Sequence, residues 1–251
     1  MKSIEEHNLE KYISNIDISK RVKEISNEIS RLYCDKNPIL IGNSNDISSL
    51  EKICGVTKVI CSTVGPYAIY GTELIHACIK MKTNYCDISG ETQWIRKIID
   101  TFHDKAKNQK IKIVNSCGFD SIPSDMGVYF CQSNYFKENG EYTNAINMRV
   151  AGTKGGFSGG TYNSLTNVIH EANVNKSVRE TLNNPYGLNP VNEQSGPDTK
   201  DLRSVVYDKE AKSWIAPFVM AGINTKIVRR SNALLNYKYG RSFLYSEAVL
   251  V

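Results

Sequence analysis

Three polar segments stand out because each follows an apolar run and carries side chains able to hold a ligand or move a proton. They are Ser62-Thr63-Val64-Gly65-Pro66-Tyr67, Asp87-Ile88-Ser89-Gly90-Glu91 and Cys117-Gly118-Phe119-Asp120-Ser121-Ile122-Pro123-Ser124-Asp125. In the first, Gly65 lets backbone approach a ligand closely and Pro66 fixes the turn. The second offers the carboxylates of Asp87 and Glu91. In the third, Asp120 and Asp125 stand at the mouth of a helix, where they could orient a substrate amine or relay a proton. Each has a local alternative. A Gly-Pro pair after a strand serves as a turn. Asp, Ser and Glu cap helices and suit the positive end of the helix dipole, and Pro123 suits a first helical turn.

A fourth segment, Gly152-Thr153-Lys154-Gly155-Gly156-Phe157-Ser158-Gly159-Gly160, lies between a predicted strand and a predicted helix. That arrangement can cradle phosphate. No strand ending in Asp or Glu follows about 20 residues later, as a dinucleotide fingerprint requires, so the segment reads as a substrate-domain loop. The histidines at 7, 76, 103 and 170 all fall within predicted helices, away from any nucleophile at a strand-end turn. This excludes a hydrolase triad.

The elements that must position these segments follow from periodicity. Residues 4–33 space apolar side chains at helical steps, and Pro38–Gly42 reads as a buried strand. Asn45-Asp46 caps a helix carrying Ile47, Leu50 and Ile53. Strands over 58–63, 84–87 and 111–115 alternate with helices over 71–81 and 91–107. Strand–helix alternation of this kind builds a parallel sheet with right-handed crossovers, and ligands bind at the carboxyl ends of such strands. The three polar segments therefore converge on one rim. Beyond Asp120 the pattern predicts a helix over 123–136, a strand over 145–150, a helix ending near 173 and another over 223–235. An Asn/Pro/Gly-rich stretch at 183–197 reads as a functional or mobile loop. The fold expected is α/β: a truncated Rossmann-like parallel sheet in residues 1–130, then a smaller α+β domain in 131–251.

Composition narrows the class. The chain has 251 residues, 41% hydrophobic and 23% charged, with a formal charge of +5. Its basic residues are scattered, with Arg229–Arg230 only a pair, so no nucleic-acid partner is expected. Seven cysteines, none in a C-x-x-C pair, give neither a metal site nor a disulfide framework. They read as buried thiols of an intracellular, cytoplasmic protein. No secretory pattern and no transmembrane run is present.

Taken in order, STVGPYAIYG (62–71), DISGE (87–91), SCGFDSIPSDMG (116–127), GGFSGGT (155–161) and APFVMAGINTKIVRRSNALL (216–235) resemble the saccharopine dehydrogenase-like oxidoreductases, in particular their trans-acting enoyl reductase branch. The similarity runs over roughly residues 38–248. It implies an NAD- or NADP-linked reductase of a double bond in a small, lipid-like or polyketide-derived substrate. On that reading Ser62, Thr63, Val64, Gly65 and Pro66 lie along the ribose and nicotinamide side of the cofactor. Tyr67, Asp87, Glu91, Phe119, Asp120 and Asp125 line the substrate cleft. No catalytic acid follows from the family pattern. Association with membranes or lipid droplets also enters by resemblance, and homo-oligomerisation stays open.

Family members open with a strand and a Gly-x-x-Gly-x-x-Gly turn that binds the pyrophosphate. The first 41 residues here contain no glycine. The chain is therefore expected to be part of a longer working enzyme, with an exposed sheet edge. Each charge-assisted phosphate hydrogen bond is worth about 1.5–3 kcal/mol, so NADPH binding by this polypeptide is expected to be weaker than micromolar. A nicotinamide-fluorescence titration measures it. Two other readings stay open: a non-catalytic relative that binds a lipid or protein partner, and a phosphate-ligand binder using the 152–160 loop.

Overall fold

The computed structural model describes residues 43–152 and 159–251, with the single positions Lys20, Glu24 and Asn27. Chain contacts separate a unit Met1–Asn43 from a unit Ser44–Val251. In the first, Lys20, Glu24 and Asn27 are helical. The rest of the helix expected over 4–33, the strand Pro38–Gly42 and glycine-loop residues 153–158 lie outside the described residues.

The second unit begins with α1 (Ile47–Gly55), capped as expected. The Asp46 carboxylate accepts from the amides of Ser48 and Ser49 at 3.0 and 3.3 Å. There follow β1 (Val59–Ser62), α2 (Tyr67–Tyr70), α3 (Thr72–Met81), β2 (Asn84–Asp87), α4 (Thr92–Gln109) and β3 (Ile113–Val114). These strands form a parallel sheet in the order β1-β2-β3, with Ser62 paired to Asp87 and Cys86 to Val114. After β3 come α5 (Ile122–Asn139), β4 (Ala145–Val150), α6 (Gly159–Val174), α7 (Lys176–Asn183), β5 (Val206–Asp208), β6 (Ser213–Pro217), α8 (Ala221–Leu234) and β7 (Leu244–Leu250). The second sheet has the order β4-β7-β6-β5, with β4 and β7 parallel and the other pairs antiparallel. The α/β reading therefore holds.

One expectation about the first sheet fails. The apolar run within 58–63 reads as a buried strand, yet Val59 is 53% exposed and Cys61 is exposed too. Topology gives the reason. Two successive right-handed crossovers between neighbouring strands put both connecting helices on the same face. That face buries Tyr85, Trp94, Ile95, Ile98 and Phe102 with Ile75 and Cys78, and the other lacks a helical cover from α3 and α4. The thiols divide likewise: Cys54 and Cys78 are buried, while Cys61 and Cys131 are exposed.

The irregular stretch is corrected as well. Leu188 is fully buried, joins the first core and lies between fixed points. Arg96 donates to the Asn189 carbonyl at 2.7 Å and Arg230 to the Leu188 carbonyl at 2.6 Å. Burial and the neighbouring Arg96 charge pull the Arg230 guanidinium down to about 10. The segment is a strap rather than a mobile loop. At Gly187 an added Cβ would meet the Thr181 carbonyl at 2.5 Å. Gly187→Ala is therefore expected to destabilise the fold by about 1–3 kcal/mol. Gly127→Ala, in α5 with nothing within 4 Å, should stabilise it by up to about 1 kcal/mol. Paired urea melts compare the two.

Candidate functional site

The three strand-end turns meet, and two buried carboxylates knit them together. Asp87, at the end of β2, is fully buried. One of its oxygens accepts from the amides of Ser89 and Ser116 at 2.9 and 3.0 Å. The other accepts from the Tyr85 hydroxyl at 3.0 Å and the Asn115 amide at 2.7 Å. Burial pushes its carboxyl above the usual range, and these four donors hold it down in part. Ser116 also donates to the Ser89 carbonyl at 2.6 Å, tying the second turn to the third.

Glu91 joins the second turn to the first and to α6. Its Oε1 accepts from the Tyr67 amide at 2.7 Å and the Ser164 hydroxyl at 2.8 Å, and its Oε2 from the Ala68 amide at 2.9 Å. The carboxylate thus satisfies amides left open at the start of α2. The Tyr67 hydroxyl donates to the Ser62 carbonyl at 3.0 Å, folding the first turn back on its own strand. Burial pushes the Tyr67 phenol up to about 12.

These turns border a cavity of about 380 Å³. Of the candidate residues, Thr63, Gly65, Tyr67, Glu91 and Asp120 line it, as do Gly118 and Ser121. The remaining candidates lie elsewhere. Ser62 is buried at the end of β1, Val64 is exposed, and Pro66 leads into α2. Asp87 holds the turns together without being part of the lining. Phe119 is 89% exposed. Asp125 lines a different cavity of about 470 Å³, together with Ile98, Phe102 and Ile227. It accepts from the Ser231 hydroxyl at 3.0 Å, and burial pushes its carboxyl up. Asp120 lies in the turn before α5 and Asp125 in the first turn of that helix, and they line different cavities.

The opposite wall comes from the second half of the unit, through Ser164, Leu165 and Val168 of α6, Met220, and Ile223 and Lys226 of α8. Among these, Lys226 is the residue that sequence reasoning missed. It lies within the run at 216–235, but nothing in its spacing marks it out from the other lysines. Asn224, two residues earlier, locks α8 to the rim. It accepts from the Ser121 hydroxyl at 2.8 Å and donates to the Asp120 carbonyl at 2.8 Å and the Glu247 carboxylate at 3.1 Å. Burial pulls the Lys226 ammonium below the usual lysine range, the Asp201 carboxylate opposes this, and Arg229 adds to it. Among the described residues no cluster could hold a metal ion, and no helix is long and apolar enough to cross a membrane.

Set beside proteins of known description, the chain finds relatives over most of its length. It is 41% identical over 220 residues to a protein of Mycobacterium tuberculosis strain H37Rv named as a candidate trans-acting enoyl reductase, a match covering 85% of this chain and 52% of that one. The chain is a homologue of the trans-acting enoyl reductases. It is 33% identical over 219 residues to the trans-acting enoyl reductases of Mycobacterium leprae and of Mycobacterium bovis strain BCG, covering 84% of this chain and 52% of each. The chain thus spans about half the length of the reductases it matches. No protein-family model matches it.

Proposed function

We propose that this chain carries the substrate-side cleft of an NAD(P)-dependent reductase of saccharopine dehydrogenase-like type, acting on a carbon–carbon double bond in a lipid-like acyl substrate. The observation that supports it is the convergence of three strand-end turns on one cavity whose far wall is mostly apolar, with Leu165, Val168, Met220 and Ile223 beside Lys226. In this reading residues 1–130 belong to the cofactor side and 131–251 to the substrate side.

The rim suits the nicotinamide-ribose half of the cofactor because it is largely bare backbone. A Cβ at Gly65 would come within 3.4 Å of the Ser164 hydroxyl, and one at Gly118 within 3.1 Å of Ile88. Side chains at either place would narrow the opening. Thr63 and Gly65, the residues of Ser62–Pro66 that line the cavity, would meet that half, and a reduced nicotinamide supplies hydride to the substrate when bound. Glu91 and Asp87 fix the turns, while Leu165, Val168 and Ile223 exclude water and accept an acyl chain.

Reduced nicotinamide mononucleotide, which carries only the half these residues would meet, is the probe for this reading. Its fluorescence is expected to saturate on titration with the chain. Gly65→Val should weaken binding about tenfold or more, while Asp125→Asn, on the other cavity, should leave it unchanged. A non-saturating titration, or equal binding by Gly65→Val, overturns the assignment.

A further inference from the structure

Five ionisable residues line the cavity: Tyr67, Glu91, Asp120, Asp201 and Lys226. Tyr67 donates its proton to the Ser62 carbonyl, and Glu91 already accepts three hydrogen bonds. Asp120 and Asp201 are carboxyl groups, and Asp201 accepts from the Thr225 hydroxyl at 3.0 Å. Lys226 differs in kind. It is 3% exposed, and its ammonium donates to the Gly222 carbonyl of its own helix at 2.8 Å. An ammonium has three donors, so two are left, and Lys226 enters no ion pair among the described residues. A buried cation in no close ion pair, with only the longer-range attraction of the Asp201 carboxylate, is costly. The cost becomes useful where negative charge develops during a reaction. Lys226 also lines a smaller cavity of about 190 Å³, so it borders both spaces.

Building on the reductase reading above, we propose that Lys226 is a catalytic residue whose ammonium hydrogen-bonds the carbonyl oxygen of the unsaturated acyl group. When the β-carbon accepts hydride from the reduced nicotinamide, the alkene electron pair moves through the α-carbon, and the carbonyl oxygen takes up the negative charge as an enolate. The ammonium stabilises that oxygen. The enolate then takes a proton from water at the α-carbon and the carbonyl re-forms, leaving a saturated acyl chain and an oxidised nicotinamide. The chain of the substrate lies along Leu165, Val168 and Ile223.

The test needs no turnover. Isothermal titration compares S-hexanoyl-N-acetylcysteamine, a thioester, with S-hexyl-N-acetylcysteamine, which lacks the thioester carbonyl. The wild-type chain is expected to prefer the thioester about tenfold to a hundredfold, the range of one charge-assisted hydrogen bond. Lys226→Met should bind both probes equally, and Lys226→Arg should keep most of the preference. In the wild-type chain, the thioester but not the thioether should also protect Lys226 from acetic anhydride, read by mass spectrometry. This second measurement decides the matter if Lys226→Met does not fold. A thioester preference retained by Lys226→Met, or equal acetylation with either probe, overturns the role of Lys226. Equal binding of both probes by the wild-type chain overturns it too, while leaving the acyl cleft standing. Binding of neither probe sinks both readings.

Discussion

Arg229→Met is expected to lower the stability of the fold by about 3–5 kcal/mol, the cost of leaving a buried charge without its partner. The side chains of Arg229 and Asp198 are 3% and 8% exposed and meet at 2.6 Å. Arg229 also donates to the carbonyls of Pro185 and Tyr245 at 3.0 and 3.1 Å and lies over the Tyr186 ring. It therefore joins the strap, α8 and β7 at one point. Methionine replaces the packing of the stem but leaves the Asp198 carboxylate with the Tyr245 amide and no cation. Arg229→Lys keeps the charge without the planar fork and should fall between. Adding Asp198→Asn to Arg229→Met removes the orphaned charge and should recover part of the loss. Urea denaturation of the four proteins tests this, and a loss below about 1 kcal/mol for Arg229→Met would mean that the pair is not a cornerstone.

That pair shows where sequence reasoning stops. Arg229 and Arg230 read as a minor basic doublet because their partners lie elsewhere in the chain, at Asp198, Pro185 and Leu188. The strap they hold has no periodicity of its own, so it reads as a loop. Strand β7 was missed for a related reason. Glu247 sits buried in its middle, satisfied by the Tyr245 hydroxyl at 2.7 Å and by Asn224, and a buried carboxylate breaks the alternation that marks a strand. Strand β5 is only three residues long, too short to show any pattern. The helix over 71–81 ends at Met81 as its pattern gave, although Lys82, with φ of 59°, closes it, while α4 runs two residues past 107 to Gln109, where Lys110, with φ of 57°, closes it in place of the usual glycine.

What was legible came from local rules. Strands 84–87 and 145–150 appear with the bounds their patterns gave. The convergence of three turns followed from parallel-sheet topology alone, without any long-range contact being known. The same rule could not say which side chains of each turn face the cavity. Asp87, Asp120 and Asp125 are equivalent on paper. They separate only when burial, cavity lining and helix rotation are fixed in three dimensions.

Asp87 therefore calls for a test that distinguishes a turn organiser from a ligand contact. Asp87→Ala leaves the amides of Ser89 and Ser116 and the Tyr85 hydroxyl without their acceptor. Each buried orphan costs about 1–3 kcal/mol, and such neighbours do not add fully, so a total near 3–6 kcal/mol is expected. Asp87→Asn keeps one oxygen for the two amides, and a rotated Asn115 can face its new amide group, so about 1–3 kcal/mol should be lost. A direct ligand contact would give the opposite pattern: normal stability with impaired binding of the mononucleotide probe. Thermal melts and probe titrations on both variants separate the two cases. Because Asp87 holds the second and third turns to each other, folded Asp87→Asn should bind the probe more weakly only as far as the rim loosens. Cooling, which restores the rim, should narrow the gap to the wild-type chain.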